Sequence, residues 1–272
     1  MDRRLTAFSG RVALEGLRGQ VAAEVFVAGE RGAVAVPLAD LCASPGGARD
    51  RQVSFGAALL VVERQDGAVF VQMGRDGYCG WLEAGAVGPA VTATHWVAAV
   101  GTHLYPEPRV QARERAALPF GARVAVLEDD GKWARVAGGY LPSVHLRPEG
   151  EWFDDPVTVA EMFLGTPYLW GGNSRDGIDC SGLVQAAWLA CGRDCPGDSD
   201  MQQGLGVALA EGAVLRRGDL IFWKGHVAIV VDGDRMIHAN GHSMDVRHEG
   251  IAAAIARIAA QGGGPVVARR RG

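Results

Sequence analysis

Residues 165–192 constrain the fold most, because an irregular loop is followed there by a stretch with helical periodicity. Upstream of Cys180, four glycines and a proline exclude a regular element and predict a shaped loop. Downstream, apolar residues recur at helical spacing from Leu183 onward, and Gly192 stands where a glycine often ends a helix. The sequence therefore predicts a loop and then a helix, with Asp179 as the N-cap and Cys180 in the first turn.

A cysteine at the start of a helix is suited to be a nucleophile. Unpaired backbone N–H groups and the helix dipole favour the thiolate there, so the pKa of Cys180 is expected to fall below the ordinary value of about 8.5. The alternative is structural, since buried cysteines often pack as small apolar side chains. A nearby base favours the catalytic interpretation.

Two histidines follow Cys180 in a predicted β-hairpin. His226 directly precedes an apolar strand, and His238 lies in the next strand, beyond the turn-forming residues 232–235. If the register places residue 226 opposite residue 238, His238 can orient the ring of His226. Asn240 and His242 compete with His238 for this role, although both fall at the following turn.

At these residues the chain resembles the NlpC/P60 cysteine peptidases. The resemblance implies a papain-like catalytic domain, in which an N-terminal helix carrying Cys180 packs on an antiparallel sheet carrying His226 and His238. The matching blocks, in chain order, are Pro-Tyr-Leu-Trp-Gly-Gly (167–172), Asp-Cys-Ser-Gly (179–182), Gly-Asp-Leu (218–220), Gly-His-Val (225–227) and His238.

An internal repeat organises the residues before this domain. The Phe-Gly-Ala segment at residue 55 returns at residue 120, an offset of 65 (120 − 55), and both copies run on to a Gly-Tyr pair. Short apolar stretches broken by Asp-Gly turns predict two small β-barrels. Residues 76–81 resemble the end of a bacterial SH3-type domain. We therefore expect an α+β chain with an N-terminal extension and first SH3-type domain (1–90), a second SH3-like domain (91–148) and an NlpC/P60 catalytic domain (149–272).

Composition and charge exclude several other classes of protein. A formal net charge of −4 gives no basic face for nucleic acid, and 48% hydrophobic residues are typical of a globular chain. The first ten residues contain no apolar stretch of signal-peptide length, so a cytoplasmic protein without membrane contact is expected. Neither the pair Cys191 and Cys195 nor the pair His238 and His242 has the partners that a metal site needs. No metal or cofactor is predicted.

The resemblance also implies a substrate. The intracellular branch with N-terminal SH3-type modules cleaves the γ-D-glutamyl to diamino-acid bond of murein-derived peptides such as L-Ala-γ-D-Glu-diamino acid, which carry a free N-terminal L-alanine. Such peptides would be the partners of this chain in peptidoglycan recycling. The substrate-binding positions that match those of the branch are Tyr78, Asp198, Tyr168, Ser181, Asp179 and, through a glycine-rich loop, Asp50.

Structural roles remain open for some of these positions. Tyr78 could fill the edge of a barrel, Asp198 could cap a helix that begins at Ser199, and Tyr168 could pack within the loop. Other functions also remain open: a broader cell-wall hydrolase, an amidase or acyltransferase on the same fold, or a non-catalytic protein that binds wall peptides.

Overall fold

The computed structural model describes residues 1–272, which divide into two compact units, Met1–Glu149 and Gly150–Gly272. The first unit consists of short strands and three single-turn 3-10 helices, Glu15–Leu17, Ala84–Ala86 and Ser143–His145. Its strands are β1 (Val12–Leu14), β2 (Val25–Val27), β3 (Glu30–Val34), β4 (Leu38–Cys42), β5 (Arg49–Ser54), β6 (Ala58–Gln65), β7 (Ala68–Met73), β8 (Cys79–Glu83), β9 (Val87–Pro89), β10 (His95–Val97), β11 (Gly101–Leu104), β12 (Ala116–Pro119), β13 (Arg123–Val124), β14 (Val126–Asp129), β15 (Trp133–Val136), β16 (Gly139–Pro142) and β17 (Leu146–Pro148).

A seven-stranded sheet forms most of the first half of this unit, in the order β5-β4-β8-β7-β6-β3-β9. Its core is apolar and includes Phe70 and Trp81, whose ring centroids lie 5.3 Å apart. Burial of such large aromatic side chains supplies much of the hydrophobic stabilisation available to a small sheet.

The internal repeat is visible in the order of the elements. After its Phe-Gly turn, each copy continues with a hairpin, a strand, a single-turn 3-10 helix and a short last strand. Gly56 and Gly121 occupy equivalent places and have φ values of +74° and +78°. A Cβ on Gly56 would lie 2.0 Å from the carbonyl oxygen of Arg123, so only glycine fits this turn. The second copy forms three small sheets, β13-β10-β17, β11-β12 and β14-β15-β16.

The second unit combines four helices with a six-stranded antiparallel sheet in the order β20-β25-β21-β22-β23-β24. The helices are α1 (Pro156–Glu161), α2 (Cys180–Ala190), α3 (Ser199–Gln202) and α4 (Ile251–Ala260). The strands are β18 (Asn173–Ser174), β19 (Gly177–Ile178), β20 (Val207–Ala208), β21 (Leu220–Trp223), β22 (His226–Val230), β23 (Arg235–Asn240), β24 (Asp245–Gly250) and β25 (Ala268–Arg271).

Helices cover the central strands of this sheet. Helix α2 packs against β22 and β23. The apolar side of α4, with Ile251 and Ala254, packs on a sheet face that includes Trp223 and Met236. Because side chains alternate along a strand, His238 shares the α4 face with Met236. None of the helices has the length and apolar character needed to cross a membrane.

The predicted hairpin and the helix after Cys180 are both confirmed. Strands β22 and β23 are antiparallel neighbours, and α2 begins at Cys180 with Asp179 as its N-cap. Gly192 has a φ of +69° directly after the helix, as its sequence position predicts. One feature differs, because the short helix α1 precedes α2 and the cysteine therefore lies on the second helix of its unit.

Candidate active site

Asp179 fixes the start of α2 and the loop that precedes it. One carboxylate oxygen, Oδ1, accepts from the backbone N–H of Gly182 at 2.7 Å and from Ser181 Oγ at 3.0 Å. The other, Oδ2, accepts from the backbone N–H of Gly171 at 2.8 Å. A single side chain therefore caps the helix and ties the glycine-rich loop to it.

The glycines of the motif allow the loop and helix to approach each other closely. A Cβ on Gly182 would lie 2.7 Å from the carbonyl oxygen of Gly172, and a Cβ on Gly172 would lie 2.5 Å from that of Gly177. Such distances are shorter than any ordinary van der Waals contact. The sequence needs glycine here because the backbones of two segments touch.

The thiol of Cys180 lies against the first residues of β22. Its sulfur is 4.0 Å from the carbonyl oxygen of Gly225, and the backbone N–H of Val227 also acts on it. The nucleophile thus contacts the backbone on both sides of His226. Tyr168 is a further neighbour, since the charge of Cys180 contributes to raising the pKa of its phenol, although burial is the larger cause.

The expectation of a lowered thiol pKa is wrong. Burial raises the pKa of Cys180 to about 12, and the charge of Asp179 acts in the same direction. The backbone N–H groups of Val227, Ser181 and Cys180 itself lower it, but by less. Desolvation of the charged form exceeds the effect of the helix terminus because the thiol is almost fully buried, with a relative exposure of 6%.

The rings of the two histidines are in direct contact. Nε2 of His226 lies 2.9 Å from Nδ1 of His238. The expected strand register is wrong by two residues: Ile229 pairs with Ile237, and this register continues to place Ala228 rather than His226 opposite His238. A shift of two residues leaves both side chains on the same face, so the rings still meet diagonally.

Glu249 contacts His238 in turn, and the sequence pattern did not identify it. The contacts from His226 through His238 to Glu249 form a relay. Oε2 of Glu249 lies 3.0 Å from Nε2 of His238, and both carboxylate oxygens accept from Arg257, at 2.9 Å and 2.6 Å. Hydrogen bonds from Arg257 lower the pKa of Glu249, so the carboxylate is ionised near neutral pH. The sequence shows only that this acidic residue precedes an arginine by eight positions. That spacing does not reveal the contact of Glu249 with His238, which depends on the fold.

The contact with Glu249 favours one assignment of the ring protons, in which the amide nitrogen of Asn240, 3.1 Å from Nε2 of His238, makes no hydrogen bond to that nitrogen. An ionised carboxylate can only accept hydrogen bonds, so Nε2 of His238 carries a proton and donates a hydrogen bond to Glu249. Nδ1 of His238 must then accept from Nε2–H of His226. The remaining nitrogen of His226, Nδ1, has a free lone pair and can act as a base.

Burial keeps both histidines neutral before reaction. It lowers the pKa of His226 to about 3 and that of His238 to about 4. The neighbouring His238 lowers the pKa of His226 further, whereas Glu249 raises the pKa of both rings. The resting site therefore contains a neutral thiol and two neutral imidazoles.

The two competitors for the orienting role make other hydrogen bonds. Oδ1 of Asn240 accepts from the backbone N–H groups of His242 and Ser243, at 3.1 Å and 2.9 Å, and its Nδ2 lies 3.1 Å from Nε2 of His238. Asn240 thereby holds the turn after β23. His242 hydrogen-bonds to Gln261 at 3.1 Å, and His238 is the ring that contacts His226.

The other expected substrate residues of the second unit lie in the loops around α2. Tyr168 is half-buried, and its backbone N–H donates to the carbonyl oxygen of Met244 at 2.9 Å. Ser181 is buried with a relative exposure of 8%. Asp198 precedes α3, which begins at Ser199, but its carboxylate does not cap this helix. A capping role therefore does not account for Asp198.

Tyr78 and Asp50 belong to the first unit. Tyr78 is buried, with the guanidinium of Arg51 lying 5.1 Å from its ring centroid. The carboxylate of Asp50 accepts two hydrogen bonds from Arg3, at 2.7 Å and 2.9 Å. Any cationic group that uses Asp50 has to share it with this arginine.

Two family models match separate parts of the chain. Residues 165–256 match the NlpC/P60 family, and residues 41–87 match the bacterial dipeptidyl-peptidase Sh3 domain. The first range contains Cys180 and the three residues of the relay, His226, His238 and Glu249. The second ends within β9 of the seven-stranded sheet and includes Tyr78.

Curated relatives match about half of this chain. The chain is 35% identical to a γ-D-glutamyl-L-lysine dipeptidyl-peptidase of Bacillus cereus over 46% of its length, and 31% identical to dipeptidyl-peptidase 6 of Lysinibacillus sphaericus over 52%. It spans 37% and 61% of the lengths of these two relatives.

A solved structure shares the fold over most of the chain. The crystal structure of an NlpC/P60 family protein from Bacillus cereus matches 89% of this chain and 99% of its own, with a TM-score of 0.74 at 21% identity. With the two family models, this shows an NlpC/P60 fold with an SH3-like domain, rich in sheet and with few helices. The chain therefore contains an NlpC/P60 domain together with a bacterial dipeptidyl-peptidase SH3 domain.

Proposed function

We propose that this chain is a cysteine peptidase that cleaves the γ-D-glutamyl to diamino-acid bond of cell-wall peptides bearing a free N-terminal L-alanine. The observation that carries the proposal is the relay from His226 through His238 to Glu249, which begins at the start of β22, where the Cys180 thiol lies. The names of two relatives, a γ-D-glutamyl-L-lysine dipeptidyl-peptidase and dipeptidyl-peptidase 6, support this substrate class.

The reaction begins with a proton transfer. Nδ1 of His226 takes the thiol proton of Cys180, and the resulting imidazolium is stabilised through His238 by the negative charge of Glu249. The sulfur attacks the carbonyl carbon of the γ-glutamyl amide, and the developing oxyanion accepts from backbone N–H groups at the start of α2. His226 then gives its proton to the leaving amine. Water then attacks the thioester while His226 accepts one of its protons. The C–S bond breaks, the glutamyl carboxylic acid is released, and His226 returns the proton to the sulfur of Cys180.

The substrate ammonium requires an anionic pocket, since an unpaired buried charge is costly. We propose that Asp198 is the main acid for this group, because Arg3 already occupies Asp50. Tyr78 and Asp50 of the first unit are further proposed substrate-binding residues. Tyr168, Ser181 and Asp179 line the cleft near the thiol. In this proposal residues 1–90 and 91–148 form two SH3-like barrels, 149–272 form the catalytic domain, and the protein recycles muropeptides in the cytoplasm without a cofactor.

Paired substrates test the proposal. L-Ala-γ-D-Glu-diamino-acid peptide is compared with its N-acetylated form, using wild type, Cys180→Ala, His226→Ala and Asp198→Asn. We expect cleavage only at the γ-glutamyl bond, no turnover by Cys180→Ala or His226→Ala, and a loss in Asp198→Asn confined to the free-amine peptide.

The other outcomes identify the rival functions. Equal turnover of both peptides would indicate a broad wall hydrolase, and acyl transfer to added amines without hydrolysis would indicate an acyltransferase. Release of ammonia from amidated substrates would indicate an amidase. Binding without turnover would indicate a non-catalytic wall-peptide protein. The Cys180→Ala variant, checked for unchanged circular dichroism, serves as the inactive reference throughout.

A further inference from the structure

A cavity of about 440 Å³ opens beside His226. It lies between the turn after β23 and the last turn of α4, and its lining includes Lys224, His242, Arg257 and Gln261. No aspartate or glutamate lines it. His226 and Arg257 also take part in the contacts described above, but Lys224, His242 and Gln261 do not, so these three polar groups have a separate explanation.

A chain of hydrogen bonds sets which groups face this cavity as donors. Nη1 of Arg257 donates to Oε1 of Gln261 at 3.1 Å, which orients the amide. Nε2 of Gln261 therefore donates to Nδ1 of His242, also at 3.1 Å. In neutral His242 the other nitrogen, Nε2, then carries a proton. His242 is thus prepared to donate a hydrogen bond to a ligand.

The net positive charge of the cavity comes from Lys224. The charge of Arg257 is balanced by its two hydrogen bonds to Glu249, whereas Lys224 is exposed and takes part in no ion pair. Carbonyl groups at the end of α4 do not cancel this charge in full, since those of Ile258 and Ala259 accept from Gly263 and Gly262. A lysine without an ion-pair partner, next to polar N–H donors, favours an anionic ligand.

The position of the cavity indicates which part of a substrate enters it. The leaving amine has to come within hydrogen-bond reach of His226, because this ring returns the proton to it. The residue that carries that amine therefore lies on the His226 side of the scissile bond. Both His226 and Lys224 line the cavity, so the cavity is the space available to that residue of the substrate.

We infer that this cavity binds the side-chain carboxylate of the leaving diamino acid, with Lys224 as its cation and His242 as a hydrogen-bond donor. The inference rests on the proposed function and adds a choice of substrate to it. Diaminopimelate has a carboxylate at the end of its side chain, whereas lysine has only an ammonium group. The chain should therefore prefer diaminopimelate over lysine at the third position.

Three peptides that differ only at the third residue test this choice. They are L-Ala-γ-D-Glu-meso-diaminopimelate, the same peptide with its side-chain carboxylate converted to a carboxamide, and L-Ala-γ-D-Glu-L-lysine. We expect kcat/KM to be higher for the first by roughly 5- to 10-fold over the carboxamide, and by more over lysine, whose ammonium is repelled by Lys224. The preference should shrink as NaCl is raised.

Variants assign the preference to the cavity. Lys224→Met should bring diaminopimelate and carboxamide peptides to within about 2-fold of each other, and Lys224→Glu should favour the lysine peptide. The chain contains one other lysine, Lys132, in the first unit. Lys132→Met is the matched control and should keep the wild-type ratio.

The outcomes separate this inference from the function on which it rests. Failure to cleave any of the three peptides would overturn the proposed function itself. Cleavage of all three at similar rates, or a preference that persists in Lys224→Met, would overturn the inference while leaving the peptidase activity intact. A rate that depends on the α-carboxylate of the third residue, and not on its side-chain carboxylate, would overturn it as well.

Discussion

Nε2 of His238 lies 3.0 Å from Oε2 of Glu249, which ends the relay that begins at His226. Without Glu249, the proton of neutral His238 could lie on either ring nitrogen. If it lay on Nδ1, His238 would donate to Nε2 of His226, and the lone pair of His226 would point at His238. The carboxylate therefore decides which nitrogen of His226 is the base. Its own position is held by the guanidinium of Arg257.

Glu249→Gln should lower kcat with little change in KM, because Glu249 acts through His238 and does not touch substrate in the proposed mechanism. We expect a loss of at least about 10-fold, below the roughly 10²- to 10⁴-fold contribution of general acid–base catalysis itself. Glu161→Gln is the matched control, since Glu161 also contacts a histidine, His248 at 3.2 Å, but not the relay. Equal effects of the two substitutions would refute the positioning role, and an acidic shift in the kcat–pH profile should appear only in Glu249→Gln.

Alkylation of Cys180 by iodoacetamide should be slow at neutral pH and rise about tenfold per pH unit up to pH 9, because only the thiolate reacts. The raised pKa of about 12 leaves little thiolate at pH 7 in the unliganded protein. Peptide mapping over time, with Cys180→Ala to assign the site, measures the rate. A rate that is constant between pH 5 and pH 8 would instead reveal a preformed thiolate–imidazolium pair.

The second unit should lose stability as the pH falls below about 6.5. The folded-state pKa values of His226 and His238, about 3 and about 4, lie below the ordinary value of 6.5, so the unfolded chain binds protons that the folded chain does not. Each histidine then contributes a slope of about 1.4 kcal/mol per pH unit, or about 2 kcal/mol between pH 6.5 and pH 5.

Urea unfolding monitored by hydrogen exchange in β22 and β23 measures this slope. His238→Gln removes one titrating group and should make the slope shallower. An unfolding midpoint that stays constant from pH 7 to pH 5 would contradict the burial argument for both rings.

Gly182→Ala should destabilise the second unit even though alanine has the higher helix propensity. The propensity gain is at most about 1 kcal/mol, whereas a Cβ 2.7 Å from the carbonyl oxygen of Gly172 forces backbone to move, at a cost of about 1–3 kcal/mol. Activity should fall as well, because Cys180 is two residues away. Gly233→Ala, where no atom lies within 4 Å, is the control and should leave the urea midpoint almost unchanged.

Local sequence determined the elements that place the nucleophile and the base. The glycine-rich loop, the Asp179 cap and the apolar period after Cys180 predicted α2 and its first residue, because capping and periodicity are short-range properties. The turn at residues 232–235 predicted the hairpin of β22 and β23 for the same reason. The NlpC/P60 motif blocks are also short contiguous segments, so they are visible in the sequence without the fold.

Tertiary structure decided what depends on long-range packing. Whether His226 meets His238 directly or diagonally depends on strand register, which hairpin parity alone leaves open in steps of two. The contact of Glu249 with His238 arises only when β24 pairs with β23 and α4 folds back over the sheet. The raised pKa of Cys180 has the same origin, since the helix terminus is a local effect but desolvation depends on everything that buries the thiol.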